Sequence, residues 1–213
     1  MKRNYLIAAV IPFILCSCLG INADIVLNRN GSGTISLEYL VSKSLDSLGK
    51  LDGNERWNTI PVGRADFERS LDRLPDMKLL SFSSREDEKN LRVSAKMEFS
   101  NLNGLLSFLD ASGRRSAFSG NTESGRLILT LSEGTAPGNS GLNDLLARIS
   151  DGYSVRLSMS FPGEGRLNVT DREGRTFTTA GSRIVPAGKT VSCFFPLYEV
   201  LSSPNGINVE FSW

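Results

Sequence analysis

Leu91-Arg92-Val93-Ser94-Ala95-Lys96-Met97-Glu98-Phe99 sets Leu91, Val93, Ala95, Met97 and Phe99 on one side of an extended chain and Arg92, Ser94, Lys96 and Glu98 on the other. Successive side chains of a strand point to opposite faces, so this unbroken period of two predicts a strand with one face in a core and one in water. The pattern recurs at Tyr153 to Phe161, where Tyr153, Val155, Leu157, Met159 and Phe161 oppose Ser154, Arg156, Ser158 and Ser160. It recurs again at Thr34 to Val41 and at Ile207 to Trp213. Shorter strands are expected at Asp24 to Leu27, Leu79 to Ser84, Ser116 to Ser119, Arg126 to Ser132, Arg166 to Val169, Thr176 to Thr179 and Thr190 to Phe195. Asn28 to Gly33 is a Gly/Asn cluster that fits a hairpin turn, and Arg85 to Asn90 is a charged hairpin tip. Pro162-Gly163 is expected to stop the strand before it.

Between the strands the period changes. Phe67, Leu71 and Leu74 recur at i, i+4 and i+7, the apolar stripe of a helix that Pro75 ends. Leu102, Leu105, Leu106 and Leu109 make a second stripe behind Ser100 or Asn101 as a cap, and Leu142, Leu145, Leu146 and Ile149 a third. Ser44 to Leu51 and Leu197 to Leu201 fit shorter helical turns. Leu102-Asn103-Gly104-Leu105-Leu106 resembles Leu142-Asn143-Asp144-Leu145-Leu146, through duplication or through the ordinary similarity of two Leu-rich helices. The expected fold is α+β: a largely antiparallel β-sheet with short helices packed on its apolar face as a two-layer structure, the sheet's other side meeting water.

Composition closes several functional classes. The 213 residues carry 24 Lys+Arg against 23 Asp+Glu, so no charge excess points to nucleic acid or to a polybasic membrane surface. There is no histidine, which excludes imidazole acid/base chemistry, His-dependent triads and His-ligated metals. The three cysteines, Cys16, Cys18 and Cys193, make no disulfide framework. Cys193 lies between Val191 and Phe195 on one strand face and is expected to be a buried, unreactive thiol.

The motifs that suggest catalysis are incomplete. Gly138-Asn139-Ser140-Gly141 has the form of a protease nucleophile loop but no imidazole to deprotonate Ser140, which fits a helix cap instead. Gly188-Lys189-Thr190 has Arg183 where a phosphate-binding loop needs its first glycine, and it reads as a hairpin turn. Ser47-Leu48-Gly49-Lys50 fits Ser-x-x-Lys without the companion motifs of that hydrolase class. Asp66, Glu68, Asp72 and Asp76 are expected on the solvated face of the Phe67 helix. No residue is assigned a catalytic, cofactor-binding or metal-ligating role.

Residues 1 to 17 form a leader: Lys2 and Arg3 are its positive region, Tyr5 to Leu15 its apolar region, and Ser17 its small cleavage residue. The apolar run is too short to span a bilayer, which takes roughly 20 residues. Leu15-Cys16-Ser17-Cys18 resembles the lipobox of bacterial lipoproteins. The resemblance implies cleavage before Cys18, a diacylglycerol on its thiol and anchoring by palmitate-class acyl chains. The chain then divides into a signal peptide (1–17), a lipidated tether (18–23) and one α+β domain (24–213).

The order of lipobox, Gly31-Ser32-Gly33-Thr34 hairpin, Phe161-Pro162-Gly163 and a late Asn205-Gly206 before a strand ending in Trp213 resembles the LppM-type domain of bacterial envelope lipoproteins. The chain departs from that family in its long segment between Phe161-Pro162-Gly163 and Asn205-Gly206 and in lacking a C-terminal membrane helix. What the resemblance implies is an anchored, non-catalytic domain, with binding of envelope lipids or glycolipids in some members. The expected function is therefore a binding or accessory domain of the cell envelope, taking an amphiphile or a protein partner, with the membrane as partner through the lipid on Cys18. A purely structural lipoprotein and a His-independent hydrolase are the alternatives. Leu19 stands where, by resemblance to proteobacterial sorting, an aspartate would signal inner-membrane retention, which favours the outer membrane. A ligand pocket is expected at the helix layer or at the sheet's ends, with Trp57, Trp213 and Phe161 as contributors.

Overall fold

A computed structural model describes residues 19–43, 61–110, 112–134, 147–148 and 150–213. Its elements are β1 (Leu19–Leu27), β2 (Gly33–Ser42), α1 (Arg64–Leu71), β3 (Met77–Glu86), β4 (Asn90–Phe99), α2 (Leu102–Leu109), β5 (Ser116–Gly120), β6 (Gly125–Ser132), β7 (Ser154–Thr170), β8 (Arg183–Val185), β9 (Ala187–Pro196), α3 (Leu197–Ser202) and β10 (Ile207–Ser212).

One sheet takes in all of these strands, in the order β3-β4-β2-β1-β7-β10-β6-β5, with β9 paired to β7 and β8 to β9. The pairings are antiparallel except β1 with β7, which is parallel from Ile21↔Val155 to Val26↔Ser160. At 17 residues β7 joins the two halves of the sheet: its first half lies along β1, and Arg166 to Thr170 lie along β10.

The two-layer α+β expectation is corrected here. The sheet curls into a half-barrel, eight strands along its main path with β8 and β9 beside it, and the protein is mostly β; the helices named above among the described residues are short, of 8, 8 and 6 residues. The apolar stripes of α1 and α2 are real, but each helix covers little of the sheet. Curling lets the sheet bury its own apolar side instead, and both halves feed one core: Ile25, Ile35, Val93, Met97 and Phe99 from the first, Leu127, Leu167, Val209 and Phe211 from the second. Burying each such side chain contributes about 1.5–3 kcal/mol.

The expected break at Pro162-Gly163 is corrected as well, since β7 runs through it. The ladder to β9 slips between Ser160 and Gly165, and a proline is tolerated at a bulge because no amide hydrogen is required there. Further register shifts at Leu79/Ser81 and Ile207/Asn208 add to the bending. β1 starts at Leu19 and so takes in residues assigned to the tether, Thr176 makes only an isolated bridge to Thr170, and β8 was not expected.

Local rules hold where the residues are described. Phe67 and Leu71 of α1 are buried, with Phe67 5.6 Å from the ring of Phe82 on β3. Asn101 caps α2, its side-chain oxygen accepting from the Gly104 amide at 3.0 Å. The helices expected at Ser44 to Leu51 and Leu142 to Ile149 lie outside the described residues, apart from 147–148. No helix of the described residues is long and apolar enough to cross a membrane.

Candidate functional site

The side of the sheet that faces away from the core carries short polar groups in register. Asn22, Glu38, Ser94 and Ser83 form one row across β1, β2, β4 and β3, and Asp24, Ser36, Lys96 and Ser81 form the next. Small hydroxyl side chains leave a shallow groove of about 320 Å³ along these rows. The rows continue onto β7, β9 and β8 as Arg156, Phe194, Arg183 and as Ser158, Ser192, Val185.

Charges on this face are tied in pairs. Arg92 holds Glu38 at 2.6 Å, Arg156 lies 3.8 Å from Asp24, and the Arg183 guanidinium stands 5.8 Å from the centre of the Phe194 ring. The groove thus offers hydroxyl, amide and carboxylate groups to a polar partner. Lys96, which stands opposite Ser36, is exposed, whereas a lysine that serves as base to a serine is desolvated.

A second concavity lies where the first half of the sheet begins. Leu40 and Lys43 from the end of β2, Glu88-Lys89-Asn90 from the β3–β4 turn and Asp151-Gly152-Tyr153 before β7 surround a recess of about 570 Å³. Its walls are fixed by backbone and side-chain bonds. The Lys43 amide donates to the Lys89 carbonyl at 2.9 Å, and the Tyr153 hydroxyl donates to Asn90 Oδ1 at 2.7 Å. Lys43 Nζ also meets Glu86 at 2.7 Å. Asp87 closes the turn by accepting from the Asn90 and Lys89 amides, which hold its carboxyl below the usual range. Gly20 of β1 lies beneath, where a Cβ would come 3.6 Å from the Tyr153 ring and 3.7 Å from Leu40.

The place expected to hold a ligand is filled. Trp213 stacks between Phe118, at 5.9 Å, and Phe161, at 5.5 Å, and its indole nitrogen donates to the Thr122 carbonyl at 3.2 Å. Gly125 and Gly165 let the rings close in, because a Cβ would sit 2.4 Å from the Trp213 ring at the first and 2.1 Å from the Phe161 ring at the second. This stack seals the seam where β1 gives way to β10. Trp57 lies outside the described residues.

Other residues singled out from the sequence sort as follows. Cys193 is buried, with Val191 and Phe195 fully buried on the same face, and burial pushes its thiol up to about 12. Gly188-Lys189-Thr190 lies inside β9, so the expected hairpin turn is corrected to strand, and the connection from β8 is made at Pro186. Of the four carboxylates, Asp66 pairs with Arg69 and Glu68 with Arg64, both at 3.1 Å, and Asp76 accepts from the Ser100 hydroxyl at 2.8 Å. Cys18, Ser47, Lys50 and Gly138 to Gly141 lie outside the described residues. Among the described residues no group of three or more Cys, Asp or Glu is placed to hold a metal ion.

No protein-family model matches the chain, and no curated protein matches it. The chain is similar to the folded domain of the Mycobacterium tuberculosis LppM protein. That NMR structure matches 100% of this chain and 93% of its own, at 15% identity and a TM-score of 0.41.

Proposed function

We propose that the chain is a lipid-anchored, non-catalytic domain of the bacterial cell envelope, held to its membrane through Cys18 and presenting the polar face of its sheet to a neighbouring envelope protein. The observation that carries this reading is the start of β1 at Leu19, directly behind Leu15-Cys16-Ser17-Cys18. An anchor on Cys18 would then be joined to a central strand of the sheet without an intervening linker. A protein partner is favoured over an enclosed amphiphile because Trp213 and Phe161, expected to line a pocket, are used in packing, whereas the groove over Asn22, Glu38, Ser94 and Lys96 is open and hydrogen-bonding. Outer-membrane placement follows from Leu19 by the same sorting resemblance.

The test uses the full chain expressed in a bacterial envelope. Cys18→Ala should abolish lipid modification by intact mass and release the protein from washed membranes. A photo-crosslinker at Ser94 should give a discrete protein adduct that one at Glu173, far along the chain from the groove, does not give. An unmodified Cys18 in membrane-extracted protein would end the anchor, and hydrolysis abolished by Ser47→Ala would replace the binding reading with an enzymatic one.

A further inference from the structure

We propose that the recess beside Leu19 seats the headgroup of a zwitterionic phospholipid from the membrane in which the chain is anchored. The orientation of the recess toward the bilayer rests on the Cys18 anchor proposed above, and the headgroup chemistry rests on the recess alone.

Position comes first. Gly20 adjoins the recess, since a Cβ on it would come 3.6 Å from Tyr153 and 3.7 Å from Leu40 of the lining, and it is two residues from Cys18; at about 3.3 Å per residue of strand, a lipid on that cysteine would begin within about 7 Å of Gly20. A diacylglycerol thioether puts its glycerol at the depth of the glycerols of neighbouring phospholipids. Their headgroups, one layer further out, then lie at the level of Lys43, Glu88, Lys89, Asp151 and Tyr153.

Charge selects the lipid. Among the described residues the lining holds two cations, Lys43 and Lys89, and two anions, Glu88 and Asp151. Lys43 is engaged by Glu86, so Lys89 is the principal partner for a phosphate, while Glu88 and Asp151 offer carboxylates to an ammonium. A polybasic surface attracts anionic membranes through each Lys or Arg it carries, and here the carboxylates of the lining offset that attraction. A headgroup with a phosphate beside an ammonium satisfies both signs. Tyr153 adds an amphipathic ring of the kind that settles at the headgroup layer, with its hydroxyl fixed by Asn90.

The experiment uses the detergent-solubilised full chain with an environment-sensitive dye on Arg85→Cys, in the cross-strand row that runs through Arg92 to Leu40 of the recess, and separately on Glu173→Cys as the distant control. With Cys18 carrying lipid and Cys193 buried, the introduced thiol is the reactive one. Dihexanoylphosphatidylethanolamine is titrated below its micellar concentration against dihexanoylphosphatidylglycerol, which has the same chains and an anionic headgroup. Expected are a saturable response at position 85, absent at position 173, and binding of the ethanolamine lipid about fivefold tighter than the glycerol lipid. Glu88→Lys with Asp151→Lys should invert that preference, and Lys89→Glu should weaken both lipids. The proposal is overturned by an equal response at the two dye positions, by no saturation, or by the wild-type chain preferring the glycerol lipid. Intact mass of the same sample reports Cys18 independently, so a failed anchor and a failed headgroup seat give different results.

Discussion

The seam and the Leu19 end are both places where the curled sheet runs out of strand to cover itself, and they are finished in opposite ways. At the seam Phe118, Trp213 and Phe161 stack into the gap, and Gly125 and Gly165 remove the Cβ atoms that would hold the rings off. At the Leu19 end the gap is lined by Lys43, Glu88, Lys89 and Asp151 and stays open. Aromatic closure adds stability and leaves no room for a ligand. The charged end contributes little to stability. Stacked aromatic rings therefore mark where this fold is held, and the charged edge marks where little packing energy is at stake.

That contrast is broken most directly at the seam. Trp213→Ala and Phe161→Ala should each cost about 3–5 kcal/mol in urea unfolding, the range for removing a large aromatic from a packed site. Lys89→Ala at the recess should stay within about 0.5 kcal/mol. Equal losses at the two places would show that the recess is structural after all.

Gly165→Ala should cost about 1–3 kcal/mol, because the ring it meets is packed against Trp213 and cannot swing away. If Phe161→Leu restores the loss in the double variant, the clash is the cause.

Asp110 sharpens the contrast from outside both regions. Its burial raises the carboxyl, but bonds from the Ser112 hydroxyl and the Arg115, Ser116 and Ser112 amides outweigh that and hold it below the usual range. A depressed folded value means that the stabilisation is present above the unfolded value of about 3.9 and is lost as pH falls through the lower folded value. Asp110→Asn should cost about 1–3 kcal/mol near neutral pH, and its unfolding midpoint should be less acid-sensitive below pH ~4 than that of the wild type. A small effect is also expected at Arg92→Ala, where loss of the exposed pair with Glu38 should cost no more than about 1 kcal/mol and shrink in high salt.

Strands with strict alternation were legible because each residue of Leu91 to Phe99 or Tyr153 to Phe161 reports its own face. The early start of β1 was hidden because Gly20 and Asn22, both poor strand formers, stand between its first apolar residues, and pairing with both β2 and β7 draws it in. Pro162 misled because its effect depends on whether a partner needs its amide, which is decided by the bulge opposite Thr190 and Gly188. The curl is the sum of such register shifts and has no local signature. The hairpin tip from Arg85 to Lys89 was readable as a turn. Its meeting with Asp151 to Tyr153, which makes the recess, joins segments more than sixty positions apart and carries no pattern in either.

The position of β1 has a mechanical consequence. Any pull applied at residue 18 enters the domain along the axis of a strand held on both sides, by register pairs from Leu19↔Val41 to Leu27↔Gly33 with β2 and from Ile21↔Val155 to Val26↔Ser160 with β7. Force along that axis loads the two ladders in shear, so that many hydrogen bonds share it at once, whereas a pull on the edge strand β3 across its length would open pairs one at a time. Tension between an envelope layer and its anchor would be borne by the strongest axis of the sheet.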